Sequence, residues 1–252
     1  MSPPDASAQD ASGLAMTVAQ ACRILARLGL AREITGHVSA RLDGQDAMLI
    51  RCRAPDDEGV AFTATSGVRP VSFDGDLLGP AEGHRVPLEY PLHAEAYRAH
   101  PEVQAVVHVH PRAILLCGMA GVPLRPAYGA YDHDPFAISL ASRGAPEYPR
   151  SVLIRTAALG QEVMATMGDE AACLLRGHGI VVTGASVEQA TLRAIKLEQL
   201  AQICWDLSLH GAVPSIAPDD LEDLAPGGAA PLSAQGDRWT WSHYLRLLDA
   251  ER

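Results

Sequence analysis

The run Ala105-Val106-Val107-His108-Val109-His110-Pro111-Arg112 constrains this chain more than any other segment. Apolar residues dominate from Ala105 to Leu124, yet two histidines, a proline and an arginine interrupt them. A transmembrane helix needs about 20 consecutive apolar residues, which excludes one here. Proline lacks an N–H and clashes inside a helix, but it fits the first turn. The run therefore predicts a Val-rich strand over Gln104–His110 and a helix over Pro111–Ala120. Side chains two apart on a strand share a side. His108 and His110 then present two imidazoles together at the strand's end, where the alternative is an ordinary pair of surface histidines.

The rest of the chain alternates in the same way. Apolar residues recur at helical spacing from Leu14 to Leu30, with Gly29 near the end. Short β-rich pieces follow at His37–Leu42, Met48–Cys52, Val60–Ala64 and Arg69–Phe73, punctuated by Gly, Pro and Asp. Leu88–His100 predicts a helix, with Pro91 in its first turn. Ser151–Arg155 and Ala172–Leu175 predict strands. Ser186 caps a long helix reaching about His210. Gly211–Asp237, rich in Gly, Pro, Ala and Asp, predicts a mobile loop before a helix over Trp239–Leu248. Alternating strands and helices imply one layered α/β domain over residues 14–210. Residues 1–13 read as a disordered tail. Residues 211–252 read as a loop and helix packing on the same domain or a neighbouring subunit.

Charge narrows the partners. Thirty acidic against 20 basic residues give a net charge of −10, with no Lys/Arg cluster. That excludes an electrostatic nucleic-acid footprint and disfavours membrane-surface binding. A small anionic substrate remains compatible, because a few local arginines suffice to hold one. The five cysteines are odd in number and contain no CxxC pair. A reducing, cytoplasmic setting is the expectation. The opening stretch lacks the basic and apolar regions of a signal peptide.

A second motif, Arg176-Gly177-His178-Gly179, places a histidine between glycines and between apolar strands. A turn histidine would look similar. Joined to His108 and His110, it supplies a third nitrogen for a metal site with an open position. Glu89 lies four residues before His93, on one helix face. From spacing alone, Glu89 reads as a solvated carboxylate near a helix N-terminus, favoured there by the helix dipole.

These segments carry a resemblance. Glu89-Tyr90-Pro91-Leu92-His93, the run from Pro101 to His110, and Leu174-Leu175-Arg176-Gly177-His178-Gly179 resemble the class II aldolase/adducin family. Gly36-His37-Val38-Ser39-Ala40-Arg41 and Thr65-Ser66-Gly67 resemble its earlier motifs. The likeness spans roughly Thr17 to His210. It implies a three-layer α/β/α fold with a mostly antiparallel central sheet, assembly as a homotetramer, and one divalent metal per subunit. Zinc or manganese is expected, with cobalt or iron also suited to such ligands. By position His108, His110 and His178 become the metal ligands, and Glu89 a fourth ligand or a proton-transfer group.

Departures from the sugar-phosphate aldolases point elsewhere. Pro87-Leu88 stand where those enzymes resemble one another in a Ser-Ser pair, and His37 stands where they have Asn. Leu88 offers phosphate no hydrogen bond. The His37 pattern, with the segments Arg150–Ile154 and Arg125–Gly129, resembles a branch of decarboxylases acting on hydroxylated aromatic or pyridine carboxylates such as dihydroxyphthalate. That implies a metal-dependent carbon–carbon lyase in which Glu89 protonates the ring, a role requiring a raised pKa. Arg85 and Arg41 are candidates for a second carboxylate, or are structural ion pairs. His37, Ser66 and Gly67 are candidates for substrate contacts. His93 orients Glu89 or is a satisfied buried histidine. Tyr128 and Tyr131 line the pocket or pack, and Tyr244 is a candidate for the aldolases' catalytic tyrosine. The rival readings are an aldolase or epimerase, and a non-catalytic adducin-like binding domain.

Overall fold

A computed structural model describes residues 6–128, 136–224 and 230–250. Seven strands form one sheet: β1 (His37–Arg41), β2 (Ala47–Arg51), β3 (Val68–Ser72), β4 (Ala105–Val109), β5 (Glu147–Tyr148), β6 (Ala172–Leu175) and β7 (Gly179–Gly184). Their spatial order is β3-β2-β1-β4-β7-β6-β5. Every pairing is antiparallel except β5 with β6.

Helices cover both faces. On one face lie α1 (Ala6–Arg27), α3 (Arg112–Ala120), α4 (Phe136–Arg143), α6 (Val187–Ser208) and α8 (Ala230–Asp249). On the other lie α2 (Tyr90–Ala99) and α5 (Ala157–Met167). A short α7 (Pro218–Leu224) precedes α8. The three-layer, mostly antiparallel expectation is met.

Period-two alternation assigns each strand residue to a layer. On β4, Ala105, Val107 and Val109 join the core beneath α1 and α6, whereas Val106 joins the core beneath α2 and α5. His108 shares Val106's parity and so faces the α2 layer. On β1, Val38 and Ala40 face α1, which turns His37, Ser39 and Arg41 toward α2. His37 pairs in register with His108. The polar residues of two adjacent central strands thus meet on one face.

Several expectations are corrected. Val60–Ala64 is not a strand. A 3-10 turn spans Val60–Phe62 after Gly59, whose φ of 109° is left-handed, and the Gly59 N–H donates to Asp57 Oδ1 at 2.8 Å. Ser151–Arg155 forms no strand either. Its apolar Ile154 is buried in the α2 layer, and its backbone serves a side chain in the site below. Gly211–Asp237 contains α7 and the start of α8 rather than a continuous loop. Helix α1 begins at Ala6, inside the stretch read as a tail. No helix among the described residues is long and apolar enough to cross a membrane.

Candidate metal centre

Three elements end at one point. β4 ends at Val109 and delivers His108 and His110, the turn between β6 and β7 delivers His178, and the N-terminus of α2 delivers Glu89. One ligand-type atom from each of the four residues lies within 4.8 Å of every other. His108 Nε2 is 3.4 Å and His178 Nε2 3.3 Å from Glu89 Oε2. His110 Nε2 is 3.2 Å from His108 Nε2.

Glycines make the approach of His178 possible. Gly177 has φ of 62°, a left-handed value that side chains disfavour. A Cβ on Gly179 would press on the Val109 carbonyl oxygen and lie 2.8 Å from His110 Cδ2. The histidine between glycines is therefore a packing requirement of the site as well as a turn.

These groups do not fully satisfy one another. His108 Nδ1 lies 2.9 Å from the Ile180 carbonyl oxygen, which only accepts, so Nδ1 donates. With its ring proton on Nδ1, His108 presents a lone pair at Nε2. His110 Nε2 faces that lone pair. His178 is close to Glu89 but lacks hydrogen-bond alignment, and both its ring nitrogens are buried without a hydrogen-bond partner. Each unmet buried group costs about 1–3 kcal/mol. A divalent cation accepting all four donors removes the deficit, so the residues present fit the metal the family implies.

Burial, then the neighbouring His108 and His178, holds His110 down to about 3. Glu89 behaves oppositely to the sequence expectation. Burial raises its proton affinity, but N–H donation or positive charge at the His108 and His178 nitrogens facing Oε2 outweighs burial and brings it well below the usual carboxylate range; with the His108 proton on Nδ1, a cation held between these nitrogens and Oε2 would supply that charge. The contact from His178 is one of proximity, yet an N–H or a cation at that point acts in the same direction. Oε1 is held separately, accepting from the Ile154 N–H at 2.7 Å. The resting form of Glu89 is therefore carboxylate, not the proton-carrying acid.

Behind the four groups runs a buried polar chain. His37 Nδ1 is 2.7 Å from His93 Nε2, and Ser39 Oγ is 2.7 Å from both His93 Nδ1 and Tyr97 OH. Of the two readings of His93, the structure has the satisfied buried histidine, bonded to His37 and Ser39 and not to Glu89. Burial, then His108, holds His93 down to about 3. Ser39 and Tyr97 carried no sequence signal alone; with β1 alternation and one helix turn after His93, their meeting is legible only in three dimensions.

A cavity of about 270 Å³ opens on the centre, lined in part by His37, Arg51, Arg53, Leu88, Glu89 and Leu153. That lies just below the roughly 300–1,000 Å³ of small-molecule pockets. Several expected substrate residues lie elsewhere. Arg41 sits at the far end of β1 from His37, bonded to the carbonyls of Val103, Tyr97 and His100. Arg85 is exposed, and its backbone bridges to Arg53. Ser66 and Gly67 form a 3-10 turn outside the cavity lining. Tyr128 and Tyr244 pack against the α1-layer core. Tyr131 lies outside the described residues.

Comparison with known proteins agrees with this geometry. Residues 16–205 match the family Class II Aldolase and Adducin N-terminal domain. A 3,4-dihydroxyphthalate decarboxylase of Rhodococcus jostii (strain RHA1) is 45% identical over 224 residues, covering 87% of this chain and 91% of the relative. A 3,4-dihydroxyphthalate decarboxylase of Arthrobacter keyseri is 39% identical over 243 residues, covering 95% of each. An aldolase II superfamily protein from Pseudomonas syringae has the same fold, with a TM-score of 0.79 at 21% identity, over 95% of this chain and 93% of that one. The converging histidines and glutamate thus sit within the matched region, and the chain belongs to the class II aldolase/adducin family.

Proposed function

We propose that this protein is a divalent-metal carboxy-lyase acting on a hydroxylated aromatic dicarboxylate of the 3,4-dihydroxyphthalate kind. The observation that carries the reading is the convergence of three imidazole nitrogens and one carboxylate, with both ring nitrogens of His178 buried and lacking a hydrogen-bond partner. The relatives that bear this activity by name supply the substrate class. His108, His110 and His178 would hold the metal, with Glu89 completing the set when substrate is absent. When bound, the metal stabilises negative charge developing on a substrate oxygen. Zinc and manganese both suit this donor set.

The chain's own groups manage the proton. Glu89, resting as carboxylate, accepts the proton of the substrate hydroxyl at Oε2 while the Ile154 N–H keeps Oε1 fixed. It then delivers that proton to the ring carbon bearing the neighbouring carboxylate. The bond from that carbon to the carboxylate breaks, its electron pair returns to the ring, and carbon dioxide leaves. The phenolate recovers a proton from solvent. Taking the proton first explains how a group with depressed proton affinity serves as acid. His37, braced by His93, offers its remaining nitrogen to a second ring oxygen. Leu88 and Leu153 give the ring apolar contacts.

Homo-oligomeric assembly belongs to the same reading, supported by the exposed Met119, Leu209 and Trp239; light scattering tests it. Metal-loaded protein is expected to release carbon dioxide from 3,4-dihydroxyphthalate. Release of an aldehyde from a sugar phosphate, with no carbon dioxide from any hydroxylated aromatic carboxylate, would overturn the reading.

A further inference from the structure

We propose that Arg53, with Arg51 beside it, binds a second carboxylate of the substrate, the one that the reaction leaves in place; this rests on the dicarboxylate reading above. Both arginines line the cavity that holds Glu89 and His178. They differ in what they have left to give. Arg51 is 4% exposed, and Asp57 accepts from its Nη2 at 2.7 and 2.8 Å while Thr63 Oγ1 accepts from its Nε at 3.0 Å. These bonds fix the guanidinium plane, cancel its charge and leave Nη1 as the donor that neither partner takes.

Arg53 is exposed, and its side chain has no acid partner among the described residues. Its backbone is pinned. The Arg53 N–H donates to Arg85 O, and the Arg85 N–H donates to Arg53 O, each at 2.9 Å. An anchored backbone with an uncommitted guanidinium at a cavity wall suits bidentate capture of a planar carboxylate.

Charge arithmetic favours a dianion. Asp57 cancels Arg51, and Glu89 offsets half of a divalent cation. The cation and Arg53 then leave two positive charges in the cavity, which two carboxylates neutralise. A monocarboxylate leaves one of them unpaired. Arg51 and Arg53 flank the buried Cys52, so both stand where β2 runs into the loop that carries Asp57 and Thr63. The same short segment thus builds the fixed donor, its counter-ion and the free cation.

Two single carboxylates separate this site from a general electrostatic effect. 3,4-Dihydroxybenzoate keeps the second carboxylate, and 2,3-dihydroxybenzoate keeps only the one beside the hydroxyl. Calorimetric binding of each to zinc-loaded wild type, Arg53→Ala and Arg53→Lys reads the site without turnover. Arg53→Ala is expected to weaken 3,4-dihydroxybenzoate about 10- to 100-fold, as loss of charge-assisted hydrogen bonds does. The other ligand should change less than about threefold, and Arg53→Lys should recover only part of the loss. The KM for 3,4-dihydroxyphthalate should rise with the first ligand's Kd while kcat stays within a few-fold. Equal weakening of both ligands, or of neither, overturns the site. Absence of carbon dioxide release from wild type sinks the decarboxylase reading instead, and the calorimetric ratio still decides the arginine site.

Discussion

Acid should unfold this protein earlier than its carboxylates alone would require, because His93 is buried neutral. His93 is fully enclosed, hydrogen-bonded to His37 and Ser39, and held down to about 3 by burial and by His108. In the unfolded chain a histidine titrates near 6.5. The folded pKa lies below the unfolded one. The folded state is therefore favoured fully above about 6.5, and stability falls as pH drops from there toward 3. Each pH unit in that window costs about 1.36 kcal/mol per group, so lowering the pH from 6.5 to 5 removes about 2 kcal/mol through His93. His37, also pushed down by burial and by His93, adds to the loss in the same direction. Glu89 also loses stability in acid, but only below the ordinary carboxylate range; Glu198, pushed up by burial, works in the opposite direction, so the slope between pH 6.5 and 5 reads the histidine loss less the Glu198 gain. Urea unfolding in the presence of a chelator, followed by circular dichroism at pH 7.5, 6.5, 5.8 and 5, reads the slope directly. A stability unchanged between pH 6.5 and 5 would refute the buried neutral chain.

Further substitutions probe the centre itself. Glu89→Gln should keep the fold and lower turnover by about 10²-fold or more, measured as carbon dioxide release; wild-type turnover removes Glu89 from proton transfer. His108→Ala should lose bound metal and activity together, read by elemental analysis of the purified protein. Gly179→Ala must push either the Val109 carbonyl or the His110 ring aside; overpacking of this kind costs about 1–3 kcal/mol, so both the urea midpoint and metal affinity should drop. Tyr97→Phe leaves Ser39 Oγ one partner short and should cost about 1–3 kcal/mol without loss of metal.

How much of this was legible in the sequence depended on how local each constraint was. His108 and His110 were readable because strand parity alone puts them on one side, and β4 obeys it. His178 was readable in part, since its flanking glycines announce a close approach without saying to what. Glu89 stood on family resemblance, because its site depends on the Ile154 N–H, 65 residues away. That contact also explains the misread strand at Ser151–Arg155. Its apolar run, Val152-Leu153-Ile154, is real, but it packs Val152 and Ile154 on a core and holds a carboxylate instead of extending the sheet. Arg41 misled for the opposite reason. It lies four residues from His37 with the same parity, and that distance along a strand, about 13 Å, is enough to leave the site.

The choice of arginine marks the limit of motif reading in this family. Arg41 closes one matched motif and Arg85 lies just before another, whereas Arg51 and Arg53 sit between motifs, where β2 gives way to irregular backbone. The four groups of the candidate metal centre come from a strand end, a tight glycine-flanked turn and a helix start, which the packed sheet and helix position rigidly. The arginines come from a strand end and the loop it opens, and loops adjust to a substrate at little cost to the core. On the roles proposed above, a fold that holds its metal where sheet and helix end and its anion-binding groups on such a loop can change substrate without rebuilding its chemistry. On that division, exchanging the segment between β2 and Thr65 should alter which carboxylates bind while leaving metal content unchanged, and a segment exchange that stripped the metal instead would show the two functions to be built on one another.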